Sequence, residues 1–229
     1  MNKHRLALLA LVALFAGCGG HSRSSSTVTE PTTTAAGTEM ALTVFRVVDG
    51  ALRAETVQVP QTRAVARAAL GALGVDANVT IDSGTASVDL ADADPKRVAE
   101  IVYTLTQFAS VQRVDVAGRS GLTRADVVAY APVILVERPA AGAEVPATFT
   151  VSGTASVFEA TLVVELRRQG TVLSRHTVTA SEGAPSRGSF TLTVHAPSPG
   201  ALTVAAYSPS AADGTAQHEQ DIRVTVVRP

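Results

Sequence analysis

Residues 158–167 read Phe158-Glu159-Ala160-Thr161-Leu162-Val163-Val164-Glu165-Leu166-Arg167, and they decide the fold of the C-terminal half. Phe158, Ala160, Leu162, Val164 and Leu166 alternate with Glu159, Thr161, Val163, Glu165 and Arg167. A period of two places the first set on one face of a strand and the second on the other, so the stretch reads as a half-buried strand. Val163 then counts as an ordinary surface residue. Working outward, similar runs occupy Val133–Glu137, Thr148–Ser152, Val172–Thr179, Ser189–His195, Ala201–Tyr207 and Ile222–Val227, with turn residues between them. Seven short alternating strands imply an all-β immunoglobulin-like sandwich over 131–229. No Trp is present and the chain has one Cys, so the domain is not of the antibody type.

Upstream, the period changes. Thr43–Val48 and Leu52–Val59 flank Asp49-Gly50, a pair that favours a type I′ hairpin. Thr62 offers a cap for a helix over Arg63–Leu73, with Val65, Ala69, Ala72 and Leu73 on one face and Gly74 as its stop. Val79–Ile81 and Ala86–Leu90 pair around Ser83-Gly84-Thr85. Asp94 as N-cap and Pro95 at the first turn open a second helix, on which Val98, Ile101, Val102, Leu105 and Phe108 recur at helical spacing. Val111–Ala117 returns as a strand. The order implies an α+β domain over 39–119, two helices packed on a small, mostly antiparallel sheet. Residues 120–130 read as an inter-domain linker.

The N-terminus carries Lys3 and Arg5, an apolar run from Leu6 to Phe15, then Ala16-Gly17-Cys18. That run is about half of the roughly 20 residues needed to span hydrocarbon, so residues 1–17 read as a signal peptide. Leu14-Phe15-Ala16-Gly17-Cys18 resembles the lipobox of bacterial lipoproteins. The resemblance implies a diacylglyceryl group on the Cys18 sulfur, cleavage before it, and acylation (palmitate) of the new amino group. An ordinary secretory signal with an incidental cysteine is the alternative. A single Cys excludes an intrachain disulfide, which agrees with the lipid site. Residues 18–38 are rich in Ser and Thr and nearly free of apolar side chains, so a disordered tether is expected there. The expected location is extracytoplasmic, on the cell membrane through the lipid.

Composition narrows the function. With 19 Lys+Arg against 20 Asp+Glu there is no basic stripe, so nucleic acid is not an expected partner. Scarce aromatics disfavour a sugar-stacking platform. Asp89, Asp92 and Asp94 lie close together, but a calcium loop needs further ligands at set spacing, and strand-end, turn and cap roles account for each. Gly118-Arg119-Ser120-Gly121 is not a nucleophile elbow. His21, His176, His195 and His218 show no metal-ligand spacing. No catalytic residue, metal site or cofactor is expected, and the chain does not read as an enzyme.

Two resemblances sharpen this picture. Ala86–Leu90, Ile101-Val102-Tyr103-Thr104-Leu105-Thr106-Gln107-Phe108, Val111–Val114 and Gly118 resemble the GerMN domain of sporulation, germination and actinobacterial envelope proteins. Glu137-Arg138-Pro139, Val151–Ala155, Phe158-Glu159-Ala160, Arg187-Gly188-Ser189-Phe190 and Asp213-Gly214 resemble the immunoglobulin-like bacterial spore germination domain. Together they imply a non-catalytic envelope lipoprotein that binds or assembles with envelope proteins or with copies of itself. Phe158 and Glu159 are the candidate docking pair, although Glu159 has a structural alternative as an acceptor of backbone N–H groups at a sandwich corner. The other functional reading is a cell-wall ligand-binding or sensory accessory lipoprotein that modulates a membrane receptor.

Overall fold

The computed structural model describes residues 38–228, so the expected signal peptide, Cys18 and most of the tether lie outside the described residues. Strands β1 (Glu39–Val48) and β2 (Ala51–Pro60) form the first hairpin. Its turn residues Asp49 and Gly50 have φ of 51° and 81°, the positive pair that a type I′ turn requires. Helix α1 (Val65–Ala72) starts two residues later than the sequence suggests. The Thr62 hydroxyl accepts the Ala64 N–H at 3.1 Å and closes a local turn ahead of the helix instead of capping it. At the other end Gly74, at φ 80°, supports a Schellman motif. Gly74 N–H reaches the Gly71 carbonyl and Val75 N–H reaches that of Leu70, both at 2.9 Å. Arg46 and Arg97 donate to the remaining carbonyls of Ala72 and Leu73, cations where the helix dipole favours them.

Strands β3 (Val79–Asp82) and β4 (Thr85–Val88), helix α2 (Pro95–Leu105), and strands β5 (Arg113–Val116) and β6 (Arg119–Leu122) follow. The sheet order is β3-β4-β5-β6, with β4 and β5 parallel. The first half therefore holds two separate sheets, the hairpin and this one, where the sequence suggested a single sheet.

The separation has a physical cause. Helix α2 lies along the free edge of β1 and stands in for a third strand. The Glu100 carboxylate accepts the Val47 N–H and the Thr104 hydroxyl accepts the Phe45 N–H, both at 2.9 Å. The Gln107 amide donates to the Thr43 carbonyl at 2.8 Å. Four helical residues advance about 6 Å and two strand residues about 6.8 Å, so side chains at 100, 104 and 107 can meet alternate strand positions 47, 45 and 43. Helix α2 is consequently buried on its polar side as well, at Glu100 and Thr104. Asp94 caps it as expected, accepting the Arg97 N–H at 3.0 Å.

Residues 120–130, read above as a linker, carry part of β6 and a kinked 3-10 segment over Arg124–Tyr130, and Val127 is buried in the first core. Then come β7 (Ile134–Arg138), β8 (Glu144–Val145), β9 (Thr148–Ala155), β10 (Thr161–Arg168), β11 (Thr171–Thr179), β12 (Gly188–His195), β13 (Gly200–Pro209) and β14 (Ala216–Val226). They form a five-stranded sheet in the order β11-β10-β13-β14-β8 and a three-stranded sheet in the order β12-β9-β7. Aliphatic side chains with Phe149 and Phe190 fill the space between. The two-residue strand β8 had no signal of its own in the sequence.

Strand β7 joins the two halves. Ile134 and Val136 point into the sandwich core, while Leu135 between them is fully buried in the core of the first half. Ala141, just beyond, continues the coupling by bonding the outer edge of β2. Thr56 N–H donates to the Ala141 carbonyl at 2.8 Å, and Ala141 N–H to that of Ala54 at 2.9 Å. Both edges of the first hairpin are thus occupied, one by α2 and one by chain from the sandwich side.

Candidate functional site

The strand proposed over 158–167 begins only at Thr161, because the three residues before it form a 3-10 turn. Glu159 and Ala160 sit at φ 53° and 55°, in the left-handed region that side chains other than glycine rarely adopt. Two successive reversals break the alternation, so Phe158 turns outward and is 78% exposed instead of joining the core. Each such residue costs about 1–3 kcal/mol and persists only where the surroundings over-determine it. Here the surroundings are the loop before β12. Ala184 N–H donates to the Val157 carbonyl at 2.9 Å, and Ala180 N–H to that of Ala160 at 2.8 Å. Gly183 packs so closely that a Cβ there would lie 2.9 Å from the Ala160 nitrogen. Phe158 is therefore presented on a rigid turn, beside a depression of about 540 Å³ lined by Val133, Pro209, Gln217 and His218. The Glu159 side chain accepts no backbone N–H among the described residues; its carbonyl instead accepts the Thr161 hydroxyl at 3.1 Å.

On the outer face of β10 the expected solvated row is buried. Glu165 is 1% exposed and Val163 is buried. Arg175 and Arg167 bond the two oxygens of Glu165 at 2.5 and 2.7 Å, and the Tyr207 hydroxyl donates to it at 3.0 Å. Arg167 continues to Glu219 and Asp221 on β14. Long side chains folded over Ala205 make this face a closed ionic ladder, with each charge already answered. Burial raises the Glu165 pKa, but the hydrogen bonds from Arg167, Arg175 and Tyr207 outweigh it and hold the group below its ordinary 4.5. A depressed folded value stabilises the protein above the unfolded value, and the contribution is lost as pH falls through the folded one. Between about pH 5 and 3 the melting temperature of wild type should therefore drop more steeply than that of Glu165→Gln. Parallel slopes in a thermal series across that window would show that the ladder is not coupled to folding.

A third cluster sits at the junction. The Arg124 guanidinium bonds Glu137 of β7 at 2.7 and 2.9 Å and the Thr106 hydroxyl at the end of α2 at 2.9 Å. Its carbon lies 4.8 Å from the Tyr103 ring centroid and 5.7 Å from that of Phe45, within cation–π range. The Thr123–Asp126 capping box fixes the backbone that carries it. Beside Arg124 opens a polar cleft of about 640 Å³, lined by Gln107, Gln112, Thr123, Arg138 and Ser152 among others. Of the Tyr-Thr-Leu-Thr-Gln segment, Thr104 and Gln107 satisfy the β1 edge, and Tyr103 and Thr106 hold Arg124. The fold gives that segment its jobs.

Residues 133–215 match the family described as the immunoglobulin-like domain of bacterial spore germination. The match runs from the start of β7 to the last turn, and β14, beyond it, completes the five-stranded sheet of this germination-type domain. None of the curated proteins matches the chain. Among solved structures, a crystal structure of an engineered protein aligns at 18% identity over 57% of this chain. It does so with a TM-score of 0.31, and the aligned part spans 36% of that chain, about a third of its length.

Phe158 and Glu159 both fall inside the matched residues 133–215, and both are exposed. Sequence reasoning did not single out Glu165 or Arg124. The signal available for Glu165 was its place in a central strand, opposite Arg175 and two residues before Arg167.

Proposed function

We propose that the protein is a lipid-anchored envelope lipoprotein, associated with germination-type machinery, in which a GerMN-like module and an immunoglobulin-like domain act together as a non-catalytic docking unit for other envelope proteins. The observation that carries this reading is Phe158, an aromatic side chain 78% exposed on a turn whose strain is held by its own backing loop. A rigid, exposed aromatic is the usual anchor of a protein–protein hot spot, since little ordering entropy remains to be lost on binding. The matched germination domain supports the cellular context. The lipobox-like sequence at Cys18 supports the membrane tether.

The test is recovery of partners from crosslinked membranes with wild type, Phe158→Ser and Cys18→Ala. Phe158→Ser should fold normally and recover at least about tenfold less partner, as expected for a hot-spot anchor. Cys18→Ala should leave the membrane fraction. Unchanged recovery by Phe158→Ser removes this turn as the docking site, and retention of Cys18→Ala in membranes removes the lipid anchor. Recovery of the chain itself would identify homo-oligomerisation. The polar cleft beside Arg124 favours a second reading, a receptor for a soluble cell-wall fragment, which predicts a rise in melting temperature with such fragments.

A further inference from the structure

Among the described residues Arg187 makes no salt bridge, whereas its neighbour at the junction, Arg124, holds Glu137. Arg187 follows the loop that backs the Phe158 turn and lies half-buried where the sandwich meets the first half. One terminal nitrogen donates to the Pro132 carbonyl at 2.6 Å. The other makes long contacts of 3.2 and 3.4 Å to the Thr154 hydroxyl and carbonyl. Its Nε is buried and donates to no protein acceptor. The charged or titratable groups that face it are Tyr103 and Glu137, and Glu137 is already taken at both oxygens by Arg124. Two guanidiniums thus share one carboxylate, and the local balance is one positive charge.

That charge borders a pocket of about 350 Å³, lined by Tyr103, Arg124, Val128, Thr154, Pro185 and Arg187. The rim is apolar at Val128, which is 45% exposed. A half-buried cation without a counter-ion is costly, and a strut needed only for two carbonyls requires no permanent charge. Burial lowers the Arg187 pKa, which accords with a guanidinium that is desolvated without an acid to compensate it. The planar fork suits a carboxylate, and the volume is at the low end for small ligands.

We propose that this junction pocket is a carboxylate-binding site, with Arg187 as the charged receptor, Arg124 as the second cation and Thr154 as a hydroxyl donor. The carboxylate comes either from an acidic side chain of a docked protein or from a small free acid. Phe158 does not line this pocket, although Pro185 of the pocket belongs to the loop that backs its turn.

The test follows the Arg187 Nε–Hε signal in the full-length protein by 15N NMR. Acetate and a glutamyl dipeptide blocked at both ends are titrated separately at constant ionic strength, with chloride as the matched anion. A saturable shift with either carboxylate and none with chloride is the expected result. Tighter binding of the blocked peptide by about tenfold or more identifies an acidic side chain as the ligand, and equal or weaker binding identifies a free acid. Arg187→Lys should keep the charge, lose the fork and weaken binding about tenfold, read on neighbouring amides. Arg168→Gln, remote from the pocket, should bind as wild type does. A wild-type signal that does not saturate, or that chloride moves equally, overturns the proposal without reliance on any variant. So does full binding by Arg187→Lys.

Discussion

Gly153→Ala should abolish the folded sandwich. Gly153 lies in the middle of β9, paired with Val136 of β7 on one side and Phe190 of β12 on the other. A Cβ there would stand 2.0 Å from the Leu135 carbonyl oxygen and 3.0 Å from both the Leu135 carbon and the Val136 Cα. All three atoms are backbone, so relief requires β7 to move away and break its ladder with β9. β7 cannot move freely, because Leu135 on its other face is locked in the first core. The expected cost exceeds about 4 kcal/mol, out of a total stability of about 5–15 kcal/mol for a typical domain. Gly71→Ala is the internal comparison. It sits in α1 with nothing within 4 Å of the added methyl, and it should stabilise by about 0.5–1 kcal/mol. Far-UV circular dichroism and urea midpoints on both variants decide the matter. A folded Gly153→Ala with a midpoint near wild type would mean that β7 and β9 are not packed this closely.

Leu135→Ala carries the second large effect. The side chain is fully buried, and truncation of a buried leucine costs about 3–5 kcal/mol, the spread depending on how far the cavity collapses. The loss falls on an unusual address. Leu135 is covalently part of the sandwich, yet its cavity opens in the first half, among the residues that α2 and the first hairpin contribute. Hydrogen exchange should therefore show larger losses of protection at Ile101 and Val102 than at Leu162 and Val164. Ile134→Ala, one residue earlier and facing the other core, should reverse the order. Equal losses throughout in both variants would show that the halves unfold as a single unit and that residue orientation on β7 does not partition the energy.

Much of the architecture was legible because it rests on local rules. Asp49-Gly50 set a hairpin turn, Gly74 stopped a helix, and Asp94-Pro95 started one. The alternation in 189–195 and 201–207 placed two sandwich strands within a residue or two of their observed ends. Legibility failed where a residue's role is fixed by something distant in sequence. Glu165 reads as a solvated outward position, and only Arg175, Arg167 and Tyr207 closing over it make it buried. Phe158 has the right period for the core, but the positive φ of the next two residues comes from the loop 20 or more residues later. Residues 120–130 fall between two recognisable modules in the sequence, and their packing depends on the partners of Arg124 in α2 and β7. Arg187 carries no mark in its neighbours that would reveal the lack of a counter-ion. Phe158 was visible in the sequence as an aromatic, but its exposure was not.

The two-faced strand β7 also bears on how such a protein can be assembled by recombination. A crossover in the stretch before residue 131 would look harmless in the sequence, since it falls between two apparent modules. It would nevertheless carry Leu135 and Ala141 away with the sandwich, leaving the donor hairpin with a hole in its interior and an uncovered edge on β2. The sandwich that received a foreign module would display Leu135 as a sticky side chain with no socket. A crossover that keeps both cores intact therefore has to move the two halves as one unit, because the seam runs through a single strand.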